Sequence, residues 1–504
     1  MVIAEPDRPS PDRRLILLTG ATGYVGGALL SLLEARGLPV RCLVRHPGRI
    51  ATSRPATTGL RVADLLDKAS LPAVLEGVDT AYYLIHSMSE ARDFVAADRL
   101  AAENFATAAC AAGVRRIIYL GGLGGDDANS SRHLRSRREV GDILRRFGPP
   151  VIELQSSIIL GSGSLSFEMI RALVERLPVM ITPRWVRTSC QPIALEDVLQ
   201  YLIGALGRPD TGPATYEIGG ADVITYGDLM MEYARQRGLR RVMVPVPVLT
   251  PWLSGLWLWL VTPANHRIGR RLIGGLSTPT IAADGLARAD FGVRPMGIGA
   301  AVARILDTEA VAPLRTDWPQ ALAHLPADGR VRELVVAGTE IAVCRREVPR
   351  TPEAAFTPVA CLGGNRGWYC APGLWRLRGL LDRLVGGPGL CSIGCGLEGP
   401  QVGAALDAWT VEAVEPHRRL LLRSTMLMPG RAWLDLAVSG ESDRSVLQLT
   451  ALFQPRGLAG LLYWQALRPI HRWLFSRQVR KLVAEARELD AVHHEHRSER
   501  TPSE

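Results

Sequence analysis

Gly20, Gly23 and Gly26 stand where an apolar run, Leu15 to Leu18, meets a helical pattern, Ala28 to Leu33. The chemistry this spacing allows is the binding of a pyrophosphate. The first glycine lets the chain turn sharply as it leaves a strand, and the second lets backbone N–H groups close on phosphate oxygens. The third lets the helix pack against the strand. Thr22, Tyr24 and Val25 complete the turn. The spacing predicts a dinucleotide site, the plain alternative being a Gly-rich βα turn without a ligand. Arg45 follows the next apolar run, Val40 to Val44. An acidic residue there would bond the ribose 2′-OH of NAD and repel a 2′-phosphate, whereas a guanidinium grips a phosphate as a fork. With Arg49 in the following loop, NADP(H) is favoured over NAD(H), unless Arg45 is one more solvated arginine in an arginine-rich chain.

The elements that must position these residues alternate regularly. Strands are expected at Leu15–Thr19, Val40–Val44, Leu60–Ala63, Thr80–Ile85, Arg116–Leu120 and Val151–Gln155. Helices are expected at Ala91–Ala112 and Arg135–Phe147. Such a chain builds a doubly wound parallel α/β sheet, Rossmann-like, with helices on both faces. Pro192–Leu206, a loop and helix, and the short strand Thr215–Gly219 would add a substrate side at the carboxyl ends of the strands. Beyond them the pattern becomes antiparallel, with six strand-like runs between Val331 and Phe453, a helix at Trp375–Leu384, and a long terminal helix from Leu458 to Leu489. A curved sheet gripping a long helix, often around an apolar cavity, fits that order. Trp368, Tyr369, Trp375, Trp409, Trp433, Phe453, Tyr463 and Trp464 would line such a cavity or fill a core. The expected organisation is a disordered N-terminus (1–13), a nucleotide-binding domain (14–306), a Pro-, Ala- and Asp-rich linker (307–328), an α+β domain (329–490) and a disordered tail (491–504).

At 504 residues the chain is long enough for two or three domains. Its formal charge of +9 is almost wholly arginine, since Lys68 and Lys481 are the only lysines. Acidic residues are interspersed throughout and no aromatic-studded basic stripe is present, so no nucleic-acid partner is expected. The eight cysteines include no Cys-x-x-Cys pair. Cys391 and Cys395 lack companions at ligand spacing, and His493, His494 and His496 read as a solvated end, so no metal site is expected. Free thiols and a nucleotide fold suggest a reducing cytoplasm. Met1 to Arg14 has no apolar core and does not read as a signal peptide. The uncharged stretch 242–266 carries three tryptophans but is broken by four prolines, which suits an apolar pocket wall or peripheral membrane contact better than a membrane span.

Several motifs together resemble a known family. Thr-Gly-Ala-Thr-Gly-Tyr-Val-Gly (19–26), Leu-Val-Arg (43–45), Ala-Asp-Leu (63–65), Ala-Tyr-Tyr-Leu-Ile-His-Ser-Met (81–88) and Ile-Tyr-Leu-Gly-Gly-Leu-Gly (118–124) are similar to an atypical short-chain dehydrogenase/reductase. The likeness is to the NmrA-like and complex I 39-kDa-subunit-like branch, over about residues 14 to 305. The C-terminal part resembles the DUF2867 domain. That likeness is carried by Leu-Gly-Gly-x-x-Gly-Trp-Tyr (362–369), Leu-Trp-x-Leu-Arg-Gly-x-x-Asp (374–382), Pro-Gly-Arg-Ala-Trp-Leu (429–434) and Phe-x-Pro-Arg-Gly-Leu (453–458). It implies a helix-grip fold of the START and polyketide-cyclase kind. The N-terminal resemblance implies Asp64 and Leu65 beside an adenine, and Leu84, Ile85 and His86 along the cofactor. Where related C-terminal domains continue with an arginine-rich segment, this chain has Cys391-Ser-Ile-Gly-Cys395.

The family's proton-transfer pair, Tyr-x-x-x-Lys on the helix after the fifth strand, is missing, because no lysine lies between Lys68 and Lys481. His133 and Arg137 occupy that spacing. Histidine exchanges protons near neutrality, and arginine holds a ribose or phosphate but keeps its proton. An arginine nearby would also lower the histidine's pKa. Gly121 and Gly122 replace any serine at the end of the fifth strand, leaving His86 and Ser87 as other donors. For His133 the plain alternative is an exposed polar residue in a first helical turn. Three functions fit: an NADPH-dependent oxidoreductase of a hydrophobic small molecule such as a quinone, lipid or polyketide; a redox sensor that binds NADP(H) without turnover; or an accessory protein of a membrane or complex.

Overall fold

A computed structural model of the chain describes residues 14–45, 55–85, 94–124, 131–209, 212–246, 276–283, 285–315, 318–363, 371–390, 400–441 and 443–498. It divides into two units, residues 1–174 with 179–305, and residues 175–178 with 306–504.

The first unit is built on a seven-stranded parallel sheet. Its strands are β1 (Leu15–Thr19), β2 (Val40–Val44), β3 (Thr58–Val62), β4 (Val78–Tyr83), β5 (Arg116–Gly122), β6 (Val151–Ser156) and β7 (Ala214–Ile218). Their spatial order is β7-β6-β5-β4-β1-β2-β3, so the winding reverses between β1 and β4. Strand period sorts the side chains onto two faces. Ile16 and Leu18 pack with Cys42, Tyr82 and Ile118 beneath helices α1 (Tyr24–Ala35) and α5 (Leu195–Gly207). Leu17, Leu43, Tyr83 and Tyr119 pack on the other face beneath α2 (Phe94–Ala111) and α3 (Arg132–Phe147). Both faces are covered, as a parallel sheet requires.

Two further helices, α4 (Leu165–Arg176) and α6 (Tyr226–Gln236), follow at the carboxyl side. Val242–Pro245 pairs in parallel with Val179–Thr182, so the start of the 242–266 stretch is an edge strand rather than part of one apolar run. Val179, Ile181, Val242 and Val244 are exposed along that ladder. The stretch from 247 onward lies outside the described residues, as do 1–13.

The second unit is an antiparallel sheet of seven strands. They are β8 (Asp328–Val336), β9 (Thr339–Val348), β10 (Ala405–Leu406), β11 (Trp409–Glu415), β12 (Arg419–Ser424), β13 (Gly430–Glu441) and β14 (Arg444–Pro455). The order is β8-β9-β14-β13-β12-β11-β10. One face buries Ala342, Cys344, Leu434 and Leu449 against α8 (Pro352–Ala360) and α10 (Gly457–Ser498). The alternate residues Ile341, Val343, Trp433 and Leu452 face Trp318 and Leu322.

That second layer corrects the expected linker at 307–328. Helix α7 (Ile298–Arg315) runs through its first part, and Trp318 and Leu322 then bury themselves in the core. The stretch looked loop-like for its prolines and aspartates, but its Ala, Leu and Glu content favours helix and the two large side chains supply anchors. Of the expected disordered tail 491–504, the backbone is helical as far as Ser498, and 499–504 lie outside the described residues. Phe453 and Trp464 lie in the core rather than around a lumen, and Trp433 lies on the opposite face.

The motifs at 374–382 and 429–434 have structural reasons. The Asp382 carboxylate, on α9 (Pro372–Leu384), is fully buried and accepts from the backbone N–H of Gly389 at 2.9 Å and of Leu427 at 2.8 Å. A Cβ on Gly430 would stand 2.4 Å from the carbonyl oxygen of Gln454 and 2.7 Å from the Phe453 ring.

Candidate functional site: the glycine turn between β1 and β4

The turn after β1 is shaped by contacts that exclude side chains. Gly20 has φ of +72°, and a Cβ there would lie 2.7 Å from the carbonyl oxygen of Leu84. A Cβ on Gly26 would lie 2.1 Å from the carbonyl oxygen of Gly20. Gly23 caps α1 with extended backbone and no side-chain bond. Its own N–H returns to Gly20 at 2.8 Å, and its carbonyl accepts from Gly27 at 2.8 Å. The N–H groups of Tyr24, Val25 and Gly26 therefore precede the first intrahelical donor, as at any open helix N-terminus. Those three donors, the helix dipole and the reversal of winding coincide at one point. A phosphate-bearing ligand fits such a place.

Thr19 fixes the floor of the crevice. Its hydroxyl donates to the carbonyl of Tyr82 at 3.0 Å and accepts from the N–H of Leu84 at 3.0 Å, tying the ends of β1 and β4 together. Sequence reasoning passed over Thr19, although a lone hydroxyl ending an apolar strand was the available signal.

The other expected residues fall around this turn. The Tyr24 backbone belongs to the open helix end, while its ring packs on the loop of Gly161 and Gly163, where burial raises its hydroxyl pKa. Arg45 is exposed just beyond β2, the strand beside β1. Asp64 is exposed, and its carboxylate accepts from Leu66 N–H at 3.0 Å. Leu65 is buried in the α2-side core, and its carbonyl is held by Asn104 at 2.9 Å. Leu84 and Ile85 continue β4 and lean to opposite faces. His86 and Ser87 lie outside the described residues.

Arg137 and His133 sit on α3, which begins behind the N-cap Ser131. Arg137 reaches back to the end of β5, where its guanidinium donates to the carbonyl of Leu120 and lies over the Tyr119 ring at 5.7 Å. Tyr119 in turn donates to the carbonyl of Arg137 at 2.7 Å, and burial pushes its phenol pKa up to about 12. The Nε of Arg137 has no hydrogen-bond partner among the described residues. β5 ends in Gly121 and Gly122, and a Cβ on Gly122 would meet Leu134 at 3.3 Å and Arg137 at 3.9 Å. The end of β5 stands two strand spacings from β1, roughly 10 Å. His133 is half-buried in the first turn of α3.

A second feature escaped the sequence reading. Glu153, in the middle of β6, is 1% exposed and pairs with Arg145, and it accepts from Gln155 at 3.0 Å. Gly121 and Gly141 make room for it, since a Cβ on either would approach its carboxylate to 2.8 and 2.7 Å. An acidic residue inside the apolar run Val-Ile-Glu-Leu-Gln was the signal.

Comparison with known proteins agrees with this division. Residues 20–148 match the NAD(P)H-binding family model, and residues 342–478 match the model of a protein of unknown function, DUF2867. The chain joins an NAD(P)H-binding domain of the Rossmann type to a DUF2867 domain. A ceramide reductase of Caulobacter vibrioides is 26% identical over 267 residues, 51% of this chain and 83% of that protein. A cinnamoyl-CoA reductase of Arabidopsis thaliana is 29% identical over 129 residues, 24% of this chain and 39% of that protein. The chain thus spans little more than a third of the first curated relatives it matches. Among solved structures, an NADPH-dependent quinone oxidoreductase of Escherichia coli, complexed with NADPH, aligns at 19% identity and a TM-score of 0.46, covering 58% of this chain and 99% of that one. No helix among the described residues is long and apolar enough to cross a membrane.

Proposed function

We propose that the chain is an NADPH-dependent oxidoreductase of a hydrophobic small molecule, a quinone, lipid or polyketide in class. The observation that carries the reading is the turn at Gly20–Gly26, which only glycine lets close, since a Cβ at Gly20 or Gly26 would strike the backbone carbonyl of Leu84 or of Gly20. The N–H groups of Tyr24, Val25 and Gly26 would hold the pyrophosphate. Arg45 would hold the 2′-phosphate, Asp64 and the backbone at Leu65 would border the adenine, and Leu84, Ile85 and His86 would run along the remainder. The nicotinamide supplies the hydride when bound. Arg137, whose Nε is directed to no described protein acceptor, would place a fixed positive charge near a ribose or phosphate oxygen. His133 would supply the proton a carbonyl substrate needs, and a quinone needs less help from a protein acid. The ceramide reductase supports the substrate class, and the exposed apolar ladder at 179–182 and 242–245 is where such a molecule, or a membrane holding it, would meet this unit.

The second reading, NADP(H) sensing without turnover, is favoured by one observation. Tyr119, the buried tyrosine nearest to Arg137, already spends its hydroxyl on the backbone of α3 and has a raised pKa, so it is a poor proton donor. Stopped-flow mixing of NADPH-loaded protein with a panel of quinones and aldehydes separates the two. Oxidation of bound NADPH by a member of the panel supports the reductase, and binding with no oxidation across the panel supports the sensor.

A further inference from the structure

Helix α9 carries its apolar side outward. Leu377, Leu380, Leu381 and Leu384 stand at i, i+3, i+4 and i+7, the spacing of a single helical stripe. A stripe of that kind normally faces a core, yet these four side chains are between 49 and 74% exposed. Val385, next in the chain, is exposed too, as is Leu427, whose backbone is bonded to Asp382 and Arg378. The exposure is built in, because the opposite side of the helix is anchored. Trp375 packs on the core, and the buried Asp382 carboxylate holds the N–H groups of Gly389 and Leu427. A Cβ on Gly379 would stand 2.7 Å from the Leu390 side chain. Rolling the helix to cover its leucines would pull Asp382 from its donors. Polar residues at the four outward positions would cost nothing in packing, so leucine there points to a surface that receives them.

Charge says which surface. At 100° per residue, Arg376 and Arg383 border the stripe on one side and Arg378 on the other. Asp382 is the only acidic residue from Pro372 to Leu390, and it is buried. The helix therefore shows solvent leucine and guanidinium but no carboxylate. Arginine stems follow an apolar surface while their heads stay in water, where the guanidinium fork matches phosphate oxygens. A second copy of the same face would set these arginines against their own kind. A protein partner of another sort is opposed by size. The 13 residues of α9 give a face about 20 Å long. That falls well short of the roughly 800 Å² that each side of a stable protein interface buries. Lipid headgroups set no such minimum, and a leucine face rimmed by cations suits a helix lying among them.

We propose that the outer face of α9 docks the protein on an anionic lipid surface, its leucines at the acyl boundary and its arginines at the lipid phosphates. The docking face belongs to the second unit and does not depend on nucleotide binding by the first. The test is flotation of the full-length protein with vesicles of phosphatidylcholine alone and of equimolar phosphatidylcholine and phosphatidylglycerol. The wild type is expected to bind the anionic vesicles roughly tenfold more tightly than the neutral ones, and less tightly as salt rises. Leu380→Ser/Leu384→Ser should lose roughly tenfold or more on the anionic vesicles. Arg376→Gln/Arg383→Gln should lose about fivefold for each arginine, on the anionic vesicles only. All four side chains are exposed, so both double variants should melt close to the wild type. Failure of the wild type to float with anionic vesicles, undiminished binding by the leucine variant, or full anionic preference in the arginine variant overturns the proposal. A dimer in light scattering that the leucine variant splits, with no flotation by the wild type, gives the face to a second copy instead.

Discussion

Adjacent glycines at the start of α1 should respond in opposite ways to the same substitution. In Gly26→Ala the new Cβ would stand 2.1 Å from the Gly20 carbonyl oxygen and 2.7 Å from its carbon, about 1.3 Å inside ordinary contact. Both obstacles are backbone, so no rotamer change relieves the clash. Either α1 moves off the turn or the turn opens, and overpacking of this kind costs about 1–3 kcal/mol. A domain of this size then loses roughly 2–10 °C in melting temperature. Binding should suffer more. The Tyr24, Val25 and Gly26 N–H groups move with the helix, and each charge-assisted hydrogen bond contributes about 1.5–3 kcal/mol. NADPH affinity should therefore fall by about tenfold for one lost bond and by more than a hundredfold for two. In Gly27→Ala the Cβ meets only the Ala21 carbonyl oxygen at 3.4 Å, ordinary contact, and the helix gains about 0.8–1 kcal/mol of propensity. That variant should bind NADPH as wild type does and melt slightly higher. Calorimetry and thermal unfolding on both variants suffice. Wild-type NADPH affinity in Gly26→Ala would refute the assignment of the turn as the phosphate cradle.

Five other expectations follow. Arg45→Glu should weaken NADP(H) and shift preference toward NAD(H), and an unchanged preference by calorimetry would remove Arg45 from the 2′-phosphate site. Arg137→Ala should weaken either dinucleotide and lower the melting temperature, because the guanidinium also holds the Leu120 carbonyl. His133→Ala should leave binding intact and slow carbonyl reduction by about 10²–10⁴-fold, with equal turnover excluding it as the acid. Asp435→Ala should destabilise by about 3–5 kcal/mol in denaturant titration, since the buried Arg419, bonded to that carboxylate at 3.0 and 2.9 Å, would lose its buried counter-charge and keep the more exposed Glu415 at 3.9 Å. For His471 the folded pKa of about 4 lies below the unfolded one, so the unfolded state binds more protons as pH falls. Stability carried by the neutral ring is present above pH 6.5 and is lost as pH falls toward 4. His471→Phe should flatten that part of the stability profile, and an unchanged acid slope would contradict the burial of the ring.

The regular elements were legible because each left a periodic signature. β1 and β2 have the expected limits, and β8 to β14 fall where alternation placed them apart from the two-residue β10. Boundaries drifted where a neighbour decides them: β5 runs on through Gly121 and Gly122 because β6 offers partners as far as Ser156. The segment 307–328 was misread because composition reports local preference, while Trp318 and Leu322 are fixed by a sheet that begins at Asp328 and recurs more than a hundred residues later. The site followed the same division. The glycine turn is local and could be read directly. Thr19 depends on β4, and Glu153 on Gly121 and Gly141. Neither is visible until the topology is known.

Arg137 shows how that dependence bears on function. On sequence spacing it stood where the short-chain reductases place a lysine, and a ligand-facing cation was the natural expectation. The fold gives it a structural duty as well, clamping the end of β5 through Leu120 while Tyr119 clamps the helix in return. A lysine has a single ammonium and could not hold a strand carbonyl, lie flat on a ring and still present a donor elsewhere, whereas a guanidinium carries five N–H bonds in one plane. The exchange of lysine for arginine therefore replaces a group that tunes a neighbouring acid with one that fixes geometry. On the reductase reading proposed above, proton delivery would come from a residue other than Tyr119, or the substrate would need little of it, and an electron-poor acceptor such as a quinone would suit that reading better than a simple ketone.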